Sequence, residues 1–174
     1  MNAIRSEGGP RLEWPILVRF TEYVRRMIDG RIVLEGGAGE PADGVFAFPL
    51  VQAVNVDAET NYAFDGTVRF TGHGGMLNLP LGGFEIRVSK SGDCQVTIAD
   101  PDEPHVRLLF ATATATHEPD SIGLIPSLTE DGSELYFYRY PAGFTLEPAH
   151  VLFTRPSDGD GSDAHHERSA NELG

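Results

Sequence analysis

Leu12 to Met27 reads LEWPILVRFTEYVRRM, and the period of this stretch decides how the remaining chain is parsed. Pro15 suits the first turn of a helix, because the amide it lacks has no intrahelical partner there. Behind it Ile16, Phe20, Tyr23, Val24 and Met27 recur at helical spacing as one apolar stripe, while Arg19, Glu22, Arg25 and Arg26 face away. Arg25 and Arg26 fall in the last turn, where cations suit the negative end of the dipole, and Gly30 is placed to end the helix. Tyr23 alone in the stripe has an ionisable tip. Periodicity by itself makes it an amphipathic residue at the edge of the core, its hydroxyl in water.

After Gly30 the pattern changes from helical to alternating. Arg31 to Glu35 reads as a strand, a glycine-rich turn follows, and Val45 to Leu50 returns, with Pro49 marking an edge or a strand end. Val51 to Asn61 can be either a strand end or a loop. Tyr62 to Thr71 is the clearest strand, with Tyr62, Phe64, Val68 and Phe70 on one face and Asp65, Thr67, Arg69 and Thr71 on the other. Met76 to Leu81 is a further strand. Phe84 to Ile98 then reads as a hairpin turning at Lys90–Asp93. Val106 to Thr116 is a long strand, and Thr129 to Tyr140 a turn with a short helix whose Leu135, Phe137 and Tyr138 are expected to pack on the sheets. Thr145 to Arg155 supplies the last strand. The expected fold is mainly β, a two-sheet β-sandwich-like domain with two short α-helices packed on it. Its expected limits are residues 12–155, between a flexible segment 1–11 and a disordered acidic tail 156–174 with almost nothing apolar.

At 174 residues the chain suffices for one domain with a real core. Its formal net charge of −13 argues against nucleic acid or an anionic membrane as partner. Cys94 is the single cysteine, so no intramolecular disulfide can form, which fits a reducing compartment. No signal-peptide core and no membrane span is legible, so the chain as written is expected to be cytoplasmic; the alternative is an excerpt of an exported envelope protein.

Nucleophile-elbow, phosphate-loop and zinc-protease motifs are absent, and the carboxylates are scattered through loops in the manner of a solvated surface. His105, His117 and His150 read as surface histidines, and His165-His166 belongs to the tail. His73 differs in its setting, between Gly72 and Gly74-Gly75 at the end of the strongest strand, where glycines let the backbone turn and leave room for a bulky group. Strict alternation points it outward from the Phe64/Phe70 face unless Gly72 forms a bulge, so a solvent-facing turn histidine and a site residue both stay open.

Three stretches together, WPILVRFTEYV, DGTVRFTGHGGMLNL and SLTEDGSELYFYRYPAGFTLEPAHVLF, resemble in wording, order and spacing the signatures of the Htaa-domain family, haem-binding modules of Gram-positive haem-uptake systems. The resemblance runs from about Leu12 to Phe153. It implies a protein that is not an enzyme and that binds ferric haem b, with Tyr23 as the axial ligand of the iron and His73 hydrogen-bonded to it. A phenolate is a hard anionic donor suited to ferric iron. A phenol ordinarily titrates near 10, so coordination and an adjacent imidazole would help keep it ionised. Phe20, Phe70, Met76 and Leu77 adjoin the pair in sequence and are the expected apolar walls for the macrocycle. The family commonly has a small hydroxyl residue where Arg19 precedes Phe20; Arg19 could change polar contacts at the rim or pair with a propionate.

The resemblance thus implies haem transfer, transport or storage, with haem, another haem-carrying protein and, optionally, a second copy as partners. The rival readings are a structural or interaction module that has lost haem, and a haem enzyme. No distal acid–base pair favours the latter.

Overall fold

The computed structural model describes residues 8–153. The expected tail and residues 1–7 lie outside them. Strand β1 (Arg11–Trp14) leads to helix α1 (Val18–Arg26), then β2 (Arg31–Glu35), β3 (Gly39–Ala42), β4 (Val45–Val56) and β5 (Glu59–Phe64). Next come β6 (Thr67–Gly72), a 3-10 turn at His73–Gly75, β7 (Leu77–Gly82), β8 (Glu85–Ser89), β9 (Asp93–Ala99) and β10 (Arg107–Glu118). The described residues finish with β11 (Ser121–Leu124), β12 (Ser127–Leu128), α2 (Glu130–Leu135) and β13 (Ala149–Leu152).

The sandwich expectation is wrong: the main sheet closes into an eight-stranded antiparallel barrel in the cyclic order β1-β13-β11-β10-β9-β8-β5-β4. Closure is made by β1, whose Leu12 pairs with Val151 on one side and Phe48 on the other. Strand β3 adds to β4 and β12 to β10. A second antiparallel sheet, β2-β6-β7, sets Ile32 beside Phe70 and Phe70 beside Leu79. Among the described residues no helix is long and apolar enough to cross a membrane.

Alternation fills the barrel. Leu12, Trp14, Phe46, Phe48, Ile86, Val96, Ile98 and Phe110 are buried, while Gln95 and Arg87 on the same strands are exposed. Trp14 stands edge-on to Phe84 at 5.4 Å, and its indole N–H donates to the carbonyl of Glu147 at 2.7 Å. Burying side chains of this size contributes about 1.5–3 kcal/mol each. Phe46 meets Phe70 edge-on at 6.2 Å, joining the barrel core to the second sheet.

Pro15 lies between β1 and α1 rather than inside the helix, because LEW is already committed to the ladder. Ile16 then takes a left-handed conformation with φ 66° and reverses the chain into Leu17, the N-cap. No local side chain caps that end. The Glu147 carboxylate instead accepts from the Val18 amide at 3.1 Å, and the Glu147 amide donates to Ile16 O at 3.0 Å. The helix buries Phe20, Thr21 and Val24, with Tyr23 at the margin.

The single strand expected over Tyr62–Thr71 is two strands in different sheets, β5 and β6. Gly66 makes the corner, at φ 102°, where an added Cβ would lie 2.8 Å from the amide nitrogen of Ala38. The ambiguous stretch from Val51 is the β4–β5 hairpin. Phe137 and Tyr138 do not pack on the sheets. They are 70% and 61% exposed, and Tyr136 and Tyr140 are buried in their stead.

Candidate functional site

Helix α1, the end of β6 and the segment after α2 converge on one cleft of about 410 Å³. Phe20, Tyr23, His73, Leu77, Tyr136 and Arg139 line it, with Phe137 at its margin. Its volume lies in the range of small-molecule sites, and its walls are mainly aromatic. A larger concavity of about 740 Å³ lies over the exposed side of β10, β11 and β13, among Thr114, Glu118, Asp120 and His150. It has no aromatic wall. The Tyr23 cleft is therefore the better candidate, although smaller.

Tyr23 Oη and His73 Nε2 are 2.7 Å apart. Residue alternation does not bring them together. Strand β6 stops at Gly72, and His73 itself takes φ 51°, swinging its imidazole out of the strand's phase and across to α1. The absence of a side chain at Gly72 admits Met27, whose Sδ would be 2.5 Å from a Cβ there, so the end of α1 seats close against β6. Asp29, just beyond α1, accepts from the His73 amide at 3.2 Å and the Gly74 amide at 2.7 Å. The Gly74 amide is the chief reason the Asp29 carboxyl is held below the ordinary carboxylate range.

Arg139 completes the polar end. Its Nη2 donates to Tyr23 Oη at 3.2 Å and its guanidinium carbon lies 4.0 Å from the centre of the Tyr23 ring. Phe137 and Tyr138, at φ 57° and 58°, turn the chain through the left-handed region just before it. Tyr136 stacks edge-on to Phe20 at 5.0 Å, and burial pushes its phenol far above the usual range, so it stays a neutral wall. Burial also raises Tyr140, offset in part by the Arg139 and Arg19 guanidiniums.

Of the residues singled out from sequence, Tyr23, His73, Phe20 and Leu77 line the cleft together. Phe70 lies beneath, edge-on to Phe20 at 5.0 Å and buried. Met76 stands 86% exposed and is not among the lining residues, and Arg19 rests with its guanidinium carbon 6.0 Å from the Phe144 ring centre. Asp29, Tyr136, Phe137 and Arg139 have site positions that sequence reasoning did not assign. The only prior signal was the density of aromatics from Tyr136 to Tyr140 around one cation.

The donor set suits a flat apolar ligand with an electrophilic centre: the Tyr23 phenol oxygen, an imidazole within hydrogen-bond reach of it, a cation beside it, and aromatic walls. No curated protein matches the sequence. Among solved structures, the fold is similar to the N-terminal domain of HtaA from Corynebacterium glutamicum, at 19% identity and TM-score 0.69, covering 85% of this chain and 99% of that one. The C-terminal domain of the same protein matches at 23% identity and TM-score 0.65, covering 83% and 97%. The heme binding protein HtaB of that organism matches at 14% identity and TM-score 0.62, covering 83% and 91%. The family described as Htaa matches residues 9–152, most of the described chain, and the protein belongs to that family.

Proposed function

We propose that this protein binds ferric haem b in the Tyr23 cleft, with the Tyr23 phenolate as axial ligand and His73 as its hydrogen-bond partner, and passes the haem on to another haem-carrying protein. Htaa is a family of haem-binding and uptake modules, not of enzymes. The observation that carries the assignment of residues is the 2.7 Å approach of Tyr23 Oη to His73 Nε2 at an aromatic cleft.

The chemistry follows from the side chains. Ferric iron, when the haem is bound, supplies the Lewis-acid centre that takes a hard phenolate oxygen. For Tyr23 to offer that oxygen, its proton has to leave Oη, and His73 Nε2 is the base within reach. Arg139, donating to Oη at 3.2 Å, steadies the negative charge left behind. Phe20, Leu77 and Tyr136 would exclude water from a bound macrocycle, and the exposed ring of Phe137 would be available to cover it. A site at the surface, with an exposed histidine and an exposed arginine at its rim, suits handing the ligand on.

Titrating haemin into the purified protein tests this. A saturating Soret band at one haem per chain is expected, with the charge-transfer bands of a ferric phenolate, and loss of the spectrum to an excess of apomyoglobin. Absence of saturable binding would leave the fold as an interaction module without haem and would overturn the proposal.

A further inference from the structure

We propose that Asp29 is a positioning residue for the Tyr23–His73 pair: its carboxylate, bridging the amides of His73 and Gly74, sets the distance between imidazole and phenol. The proposal rests on the haem reading above for its consequence, but the bridge is a feature of the protein alone. His73 sits at φ 51°, a backbone conformation that a residue with a Cβ disfavours. Gly74 and Gly75 follow at φ 64° and 95°, so the turn carrying the imidazole is a run of left-handed residues. Within the turn the Met76 amide donates to His73 O at 3.1 Å, and the ladder closes at Gly72 and Leu77, but neither contact reaches the His73 and Gly74 amides. Asp29 reaches both with its two oxygens, Oδ1 to the His73 amide at 3.2 Å and Oδ2 to the Gly74 amide at 2.7 Å.

Asp29 also lies in the segment that continues from α1, the helix that carries Tyr23. The phenol and the anchor of its partner therefore sit on one continuous segment. The Gly30 amide donates to Met27 O at 3.2 Å, and β2 begins at Arg31, paired with Thr71, so the segment is tied down on both sides of Asp29. The bridge is exposed, so it adds little to global stability; its effect falls on the geometry of the site. A carboxyl is ionised at neutral pH in any case, and these amides hold it further below its usual range, so it accepts from both at once.

The test is a double-mutant cycle on the full chain with haemin as the probe. Asp29→Ala is expected to weaken haemin binding roughly tenfold, the lower end of what outer partners of a ligand cost, and to move the charge-transfer bands toward those of His73→Ala. In the His73→Ala background it is expected to add nothing. Asp29→Asn, which keeps one acceptor oxygen, should fall between. In the haem-free protein, exchange of the His73 and Gly74 amide protons should accelerate in Asp29→Ala while the melting curve hardly moves. An unchanged spectrum, full additivity with His73→Ala, or unchanged amide exchange would overturn the proposal. If Tyr23→Phe retained phenolate bands, the haem reading would fall by itself, and the exchange rates would still decide whether Asp29 holds the turn.

Discussion

Replacing Tyr23 by phenylalanine separates the chemistry of the site from its packing. The ring keeps its contact with Phe20, at 6.1 Å between centroids, and stays under the Arg139 guanidinium. What goes is the oxygen, with the hydrogen bond it shares with His73 at 2.7 Å and the one it accepts from Arg139 at 3.2 Å. Such bonds are worth about 0.5–1.5 kcal/mol each, and both partners here are exposed and recover water, so the low end applies. A total near 1 kcal/mol lowers the melting temperature of a chain of this size by about 2–4 °C. The effect on haem is of another order. No other atom of the side chain can coordinate iron, so the loss should exceed the roughly 10–100-fold that outer partners cost. Absorption titration with haemin, beside a thermal melt, reads both quantities on one sample. His73→Ala is the control: it should lie within that 10–100-fold range and keep a shifted phenolate spectrum. A Tyr23→Phe protein that still shows a full-affinity ferric complex, while His73→Ala loses it, would make His73 the iron ligand and refute the assignment. A melting temperature lowered by ten degrees or more would mean that the phenol is structural.

Three further outcomes are expected. Arg139→Ala removes the donor and the cation at Tyr23 but not the ligand, so haemin affinity should fall about fivefold, near 1 kcal/mol, with phenolate bands retained; complete loss of those bands would show that Arg139 does more than steady the charge. Gly66→Ala sets a Cβ 2.8 Å from the Ala38 nitrogen at φ 102° and should cost about 2–3 kcal/mol in urea unfolding, whereas a neutral result would mean that the β5–β6 corner can relax. Burial, with Asp93 beside it, pushes the Cys94 thiol up to about 11, so the thiolate is scarce at pH 8 and a thiol reagent should label Cys94 only after denaturation; rapid labelling of the folded protein would contradict its burial.

The α1 stripe was legible because helical periodicity is local: Phe20 and Val24 fall on the buried side whatever the helix packs against. The barrel was not, because alternation gives an antiparallel strand one buried face in a sandwich and in a barrel alike. The difference lies in one strand, Arg11–Trp14, whose two partners, at Phe48 and Val151, are about a hundred residues apart in the chain. Four residues running into a proline carry too short an alternation to announce a strand. The same limit governs the site. Alternation sends His73 outward, correctly for a strand, but the strand ends one residue earlier and a left-handed turn reverses the direction of the side chain. Phe137 and Tyr138 invert for the same reason: two consecutive left-handed residues break the phase carried over from α2, so Tyr136 goes in and its neighbours stay out. From sequence, Tyr23 and His73 are joined only by the family resemblance, since nothing in either segment's period refers to the other. Asp29 and Arg139 had no period at all, being polar residues in connecting segments. Their roles exist only once α1, the end of β6 and the segment after α2 have met. In this fold the periodic residues make the walls and the aperiodic ones, at left-handed turns and helix ends, set the polar geometry.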